Sequence, residues 1–152
     1  MSDIEPVKFS IKLSGIWWNK KPVARIFLDG EPIAEISVEK ENGKGVELVE
    51  FVKELSEGEH TLAVEFVNKN NSDTVHENGT VLKDMLLVID EVTIDDIDLG
   101  YLAMQKGKFY VNKEIRPDEP DVIEKIPLFF GFPGRWEMNF SCPTYIWFLE
   151  NL

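Results

Sequence analysis

Val7, Phe9, Ile11 and Leu13 alternate with Lys8, Ser10 and Lys12. A period of two sends alternate side chains to opposite faces of an extended chain, so the segment predicts a strand with one buried face, closed by Gly15. The run VARIFL (23–28) is apolar on both faces except at Arg25 and predicts a strand inside a sheet. Asp29-Gly30 follows, a hairpin signal because both residues tolerate positive φ, and residues 31–38 predict the returning strand. Residues 39–45 form a polar loop with an Asn-Gly turn. In 46–55, Val46, Val49, Val52, Phe51 and Leu55 fit either a helical turn or a strand. Valine and phenylalanine favour the strand, here expected to carry a bulge. After a tight turn (SEGE, 56–59), His60, Leu62, Val64 and Phe66 restore the alternation. Residues 68–80 are a long polar loop. Residues 85–92 are apolar and β-rich, and 94–99 continue them past the Asp95-Asp96 turn. A short strand is expected within 100–111, an exposed connector at 114–121 around Pro117 and Pro120, and a last alternating strand at Trp136, Met138 and Phe140.

Eight or nine strands, with turns about every ~10 residues and no long helical period, predict an all-β protein: an antiparallel β-sandwich of jelly-roll type. The length of 152 residues suits one domain. Residues 1–100 are expected to form the sandwich core and 101–152 a C-terminal extension with an aromatic tail, packed on the same domain.

The charge narrows the partners. Sixteen Lys and Arg against 28 Asp and Glu leave −12. Such a surface repels phosphate backbones and anionic lipid heads, so neither nucleic acid nor membrane is expected as a partner. It could attract a cation such as Ca²⁺. No apolar stretch reaches the ~18 residues of a membrane span, and the first residues show no signal-peptide pattern. The expected location is therefore soluble or virion-bound. A single cysteine, Cys142, excludes an intrachain disulfide and cysteine-based zinc sites, and its apolar setting predicts a buried, inert thiol. HExxH, GxSxG, P-loop and dinucleotide motifs do not occur.

Four groups could carry chemistry. Asn68, Asp73, Glu77 and Asp84 bring carboxylate and amide oxygens to one loop and strand junction, the ligand type that calcium takes, although polar loops use the same residues as turn formers. Trp17 and Trp18 are candidate sugar platforms. As neighbours on an extended chain they point to opposite faces, so at most one lies in the core. Phe129, Phe130, Tyr145, Trp147 and Phe148 form an aromatic group that either closes the core or meets another subunit. Asp90, Glu91, Asp95, Asp96 and Asp98 are dense in carboxylates, but acids in a tight turn are usually solvated turn formers, so a glycosidase pair is disfavoured. His60 falls on the apolar phase of its strand, as a core or edge histidine. His76 lies in the polar loop, exposed.

Two family resemblances follow. The stretch GEHTLAVEFVNKNNSD…LKDMLLVIDEVTIDDIDL (58–99), with the hairpin PVARIFLDGEPIAEISV (22–38), resembles the calcium-dependent xylan-binding modules, which are small jelly-roll sandwiches. That likeness spans roughly residues 1–100 and implies glycan binding and a calcium site. Asp84 matches the metal-binding aspartate, with Asp73 and Glu77 as further ligands. Where the family has Asp-Arg-Asn-Leu, this chain reads Lys83-Asp84-Met85-Leu86, without the Arg-Asn pair. The stretch NKNNSDTVHENGTVLKDMLLVIDEVTIDDIDLGYL and the ending GRWEMNFSCPTYIWFLENL look like virion-associated proteins of marine tailed phages. This second likeness covers more of the chain, the aromatic tail included.

The expected function is a non-enzymatic structural or assembly protein, a phage virion component that decorates a capsid or sits in a tail. Its partners would be other protein subunits, as a homo-oligomer or within a virion. The alternative is a calcium-dependent glycan-binding module.

Overall fold

A computed structural model describes residues 3–152, which form thirteen strands and two short helices. In chain order they are β1 (Ile4–Ile16), β2 (Val23–Leu28), β3 (Glu31–Ser37), β4 (Glu47–Ser56), β5 (Gly58–Phe66), β6 (Val75–Glu77), β7 (Thr80–Lys83), β8 (Leu86–Ile94), β9 (Ile97–Asp98), α1 (Tyr101–Lys106), β10 (Lys108–Val111), β11 (Val122–Glu124), β12 (Phe129–Phe130), β13 (Gly134–Cys142) and α2 (Thr144–Asn151). Among the described residues, one sheet runs β12-β8-β1-β4, with β9 hairpinned onto β8. The other runs β11-β10-β13-β5-β2-β3. Among the described residues every pairing between these strands is antiparallel. The architecture is the expected antiparallel β-sandwich.

The alternation in the sequence builds the interior directly. Val7, Phe9, Ile11 and Leu13 of β1 are buried, and they face Ile26, Leu62, Val64, Met138 and Phe140 of the second sheet within one core. The layers meet through aromatic rings. Phe9 stacks on Phe51 of its neighbour β4 at 4.8 Å between centroids and takes the edge of Phe140 from the opposite sheet at 5.8 Å. Such offset and edge-on pairs add to the stabilisation from area burial. Along one side, Lys53 of β4 pairs with Glu31 of β3 at 3.3 Å, linking the outer strands of the two sheets.

Several segments differ from the sequence expectation. β4 pairs with β1 over ten consecutive positions with no shift in register, so it carries no bulge. The irregularity lies on the other flank of β1, where Lys12 faces Glu91 and Leu13 faces Ile89, leaving Asp90 extra. The expected polar loop 68–80 gives way to a two-stranded hairpin, β6-β7, which runs on to Lys83 and turns at Asn78-Gly79 with φ of 52° and 78°. Residues 100–111 begin as α1 before the short strand β10, and the aromatic tail is helical. β13 lies between β10 and β5, so residues from the C-terminal third occupy the middle of the second sheet.

The connections gather at two ends. At one end lie the segments 17–22, 67–85, 112–121 and 131–133. At the other lie the 29–30 and 95–96 turns and α2.

Candidate functional site

Asn68 starts the first rim. Its Oδ1 accepts the Val23 N–H at 2.8 Å and its Nδ2 donates to the Lys21 carbonyl at 2.9 Å, which pins the chain leaving β5 to the chain entering β2. The chain then makes a single 3₁₀ turn, Asn71–Asp73. Asp73 is buried, and both its oxygens are occupied. Oδ1 accepts Asn19 Nδ2 at 2.6 Å, while Oδ2 accepts the Asn70 N–H at 2.7 Å and faces Lys20 Nζ at 3.1 Å. Burial opposes the charge, but these donors and the Lys20 ammonium outweigh it and hold the Asp73 carboxyl below the ordinary aspartate range. Trp18 donates its indole N–H to the Asp73 carbonyl at 2.9 Å. The segment after β1 is thus sewn to the 68–74 loop.

Behind this loop lies an ion pair between a buried lysine and a half-buried aspartate. Lys69 is 1% exposed, and its Nζ donates to Asp84 Oδ1 at 2.7 Å and to the Gly131 carbonyl at 2.5 Å. Asp84 Oδ1 also accepts the Thr74 hydroxyl at 2.7 Å and the Met85 N–H at 2.8 Å. Desolvation pulls the Lys69 pKa down despite its partner, while Asp84, penalised by burial, is still held low by Lys69, Thr74 and Met85.

The calcium site implied by the family resemblance can be tested against this geometry. Calcium takes six to eight oxygens at about 2.3–2.6 Å. Asp84 Oδ1 is shared by an ammonium and two further donors, and both Asp73 oxygens accept N–H groups. Glu77 is exposed on the β6-β7 hairpin. Among the described residues, no three His, Cys, Asp or Glu side chains are grouped to hold a metal. These residues do not fit a calcium ion.

Beside the ion pair opens a cleft of about 480 Å³, inside the usual ligand-site range. Asn71 and Thr74 line it from the 68–74 loop, His76 from β6, and Arg116, Asp118 and Glu119 from the connector. The connector is held by Asn112, whose carbonyl accepts the Ile115 and Arg116 N–H groups, and by Asn71 Nδ2, which donates to the Ile115 carbonyl at 3.0 Å. The Arg116 guanidinium lies over the Phe132 ring at 5.4 Å, and its buried Nε has no hydrogen-bond partner. The cleft therefore presents a guanidinium, an imidazole and carboxylate acceptors beside the apolar Ile115 and Pro117.

The remaining candidates separate. Trp17 is half-buried against the core, whereas Trp18 is 43% exposed with the Lys83 ammonium 4.9 Å from its ring centroid. Phe130, Trp147 and Phe148 are core residues: Phe130 packs on Phe109 at 4.9 Å, and Trp147 meets Phe140 and Phe148 edge-on. They close the sandwich and leave only Phe129 and Tyr145 of that group facing solvent. Four of the five acids of 90–98 serve the scaffold, and Asp90 is exposed at the irregularity. Glu91 pairs with Lys12, Asp96 with Lys8, Asp98 accepts the Gly100 N–H, and Asp95 accepts the Lys8 N–H and the Thr144 hydroxyl. Cys142 is buried, and desolvation pushes its thiol up to about 12, which removes nucleophilic character at neutral pH. His60 is buried at a strand edge. Sequence reasoning missed Lys69 and Arg116. A lysine in a polar loop reads as solvated, and the carbonyl that receives Lys69 lies 62 residues away.

No family model and no curated protein matches this chain. Among solved structures the chain is similar to vCBM60, a carbohydrate-binding module, in complex with galactobiose. The TM-score is 0.52 at 8% identity, over 87% of this chain and 98% of that one. At that identity the likeness is one of fold alone, and it agrees with the two-layer β-sandwich described above.

Proposed function

We propose that this chain is a non-catalytic recognition module that takes a carbohydrate in the cleft between the 68–76 segment and the 112–121 connector. The observation that carries this reading is the lining of that cleft. Sugar hydroxyls both donate and accept, and ring C–H faces are apolar. Arg116 and His76 can donate, Asp118 and Glu119 can accept, and Pro117 and Ile115 offer apolar contact. The likeness to a module solved with galactobiose adds support from the fold and names the first ligand to try.

A glycan array followed by calorimetry with galactobiose, galactan and xylan tests this, in buffer with and without a chelator. The expected result is binding to at least one glycan, weakened about 10-fold or more by Arg116→Ala, equivalent to ~1.4 kcal/mol. Absence of binding to every glycan in both buffers would overturn it.

A second reading, membership of a protein assembly such as a phage virion, is favoured by α2. Tyr145, Leu149 and Leu152 are 64%, 81% and 65% exposed on this helix and its cap, beside the exposed Ile4 and Ile97. Light scattering across a concentration series would then show an oligomer, which Leu149→Glu should dissociate. A monomer at every concentration that also ignores virion proteins would remove this reading.

A further inference from the structure

We propose that the Lys69 ammonium is a built-in cation that braces the first rim, so that the 68–85 segment keeps its arrangement without a divalent metal. The geometry carries this. The ammonium joins three separate stretches of chain: it starts from the loop after β5, meets the carboxylate before β8, and meets the carbonyl of Gly131 between β12 and β13. Thr74 adds a fourth tie, from the strand entry of β6 to the same Asp84 oxygen. A bound calcium ion holds loops together in the same manner, by collecting carboxylate, carbonyl and hydroxyl oxygens from distant segments. Here those three oxygen types converge on or beside one buried Nζ.

A metal could not share the position. The ammonium lies 2.7 Å from Asp84 Oδ1, so a divalent ion on that oxygen would sit against a positive charge with too few oxygens left to complete its shell. Lysine is almost never this buried unless it is paired, so the 1% exposure of Lys69 marks a fixed structural charge. The brace would hold whether or not the neighbouring cleft takes a carbohydrate, and its test uses no glycan.

Thermal unfolding and terbium luminescence of the full chain decide the matter. The unaltered protein is expected to melt at one temperature in calcium, in magnesium and in a chelator, and to give no terbium emission sensitised by Trp18, whose indole is bonded to the neighbouring Asp73 carbonyl. Lys69→Met keeps the apolar stem and removes the charge. It should lower Tm by about 5–10 °C, since it leaves the half-buried Asp84 carboxylate without its cation. Lys69→Met combined with Asp84→Leu should recover part of that loss. A calcium- or chelator-dependent Tm in the unaltered protein would overturn the proposal even if no variant folds. So would a Lys69→Met protein as stable as the parent.

Discussion

The Thr144 hydroxyl donates to Asp95 Oδ2 at 2.6 Å, tying the turn between β8 and β9 to the first residue of α2. The Thr144 N–H donates in turn to Glu5 Oε1 at 3.0 Å. Two carboxylates thus face the helix N-terminus, where the free N–H groups and the helix dipole favour negative charge. Thr144→Val keeps the shape and removes the hydroxyl. Asp95 also accepts the Lys8 N–H, so it would stay in place with one lone pair unmet. We expect a loss of about 1–2 kcal/mol in urea unfolding, with Trp147 fluorescence reporting loosening of α2 before the sheets separate.

Gly107 ends α1 where the Trp136 indole passes over the backbone. A Cβ there would overlap Trp136 Nε1 and the Ala103 carbonyl oxygen, and the indole is fully buried and cannot retreat. Gly107→Ala is expected to cost about 1–3 kcal/mol through overpacking. Chemical denaturation followed by tryptophan emission checks it. A gain in stability would show that Trp136 has room to move.

How much of this was legible follows from where each signal lives. β1, β5 and β13 each bury one face, so their alternation is written in the residues, and the Asp29-Gly30 and Asp95-Asp96 turns carry their own chemistry. β6 and β7 expose nearly all their side chains, so no alternation marks them and only the Asn78-Gly79 pair betrays the hairpin. α1 was readable from Leu102, Ala103, Met104, Gln105 and Lys106, all good helix formers, between Gly100 and Gly107. α2 was harder, because Tyr145, Ile146, Trp147 and Phe148 favour strands, and its helix follows from burying Trp147 and Phe148 while Asp95 and Glu5 cap the start. The rim was least legible. Asp73 and Asp84 were found as acids, but what they hold depends on Asn19, Lys20 and Lys69, and local sequence cannot announce a contact across 54 residues.

Asp96 has φ of 65° in that turn, a left-handed conformation that costs an aspartate and not a glycine. Its carboxylate makes an exposed pair with Lys8, a contact of the kind that adds little. Asp96→Gly should therefore raise stability, by up to about 1 kcal/mol from the backbone, while Asp95 keeps its own contacts. The same substitution at Asp95 should destabilise, since it removes the acceptor of Thr144 and Lys8. Paired melting curves of the two variants separate turn conformation from side-chain role.

The pH response of the fold should centre on His60. Its Nδ1 lies 2.6 Å from Asp29 Oδ2 and its Nε2 lies 2.7 Å from the Ser56 carbonyl. Both neighbours are acceptors, so both ring nitrogens must donate, and only the imidazolium can do that. Burial disfavours that charge, but the Ser56 carbonyl and the Asp29 carboxylate outweigh it and raise the pKa above the ordinary 6.5. The folded protein thus binds this proton more tightly than the unfolded chain. The resulting stability is fully present below the ordinary value and is lost as pH rises through the raised one. Denaturation midpoints measured upward from pH 6 should fall, and His60→Gln should flatten that fall while costing about 1–3 kcal/mol at low pH. An NMR titration placing the His60 pKa below the ordinary 6.5 would defeat this account, because it would mean that one ring nitrogen faces its acceptor without a proton.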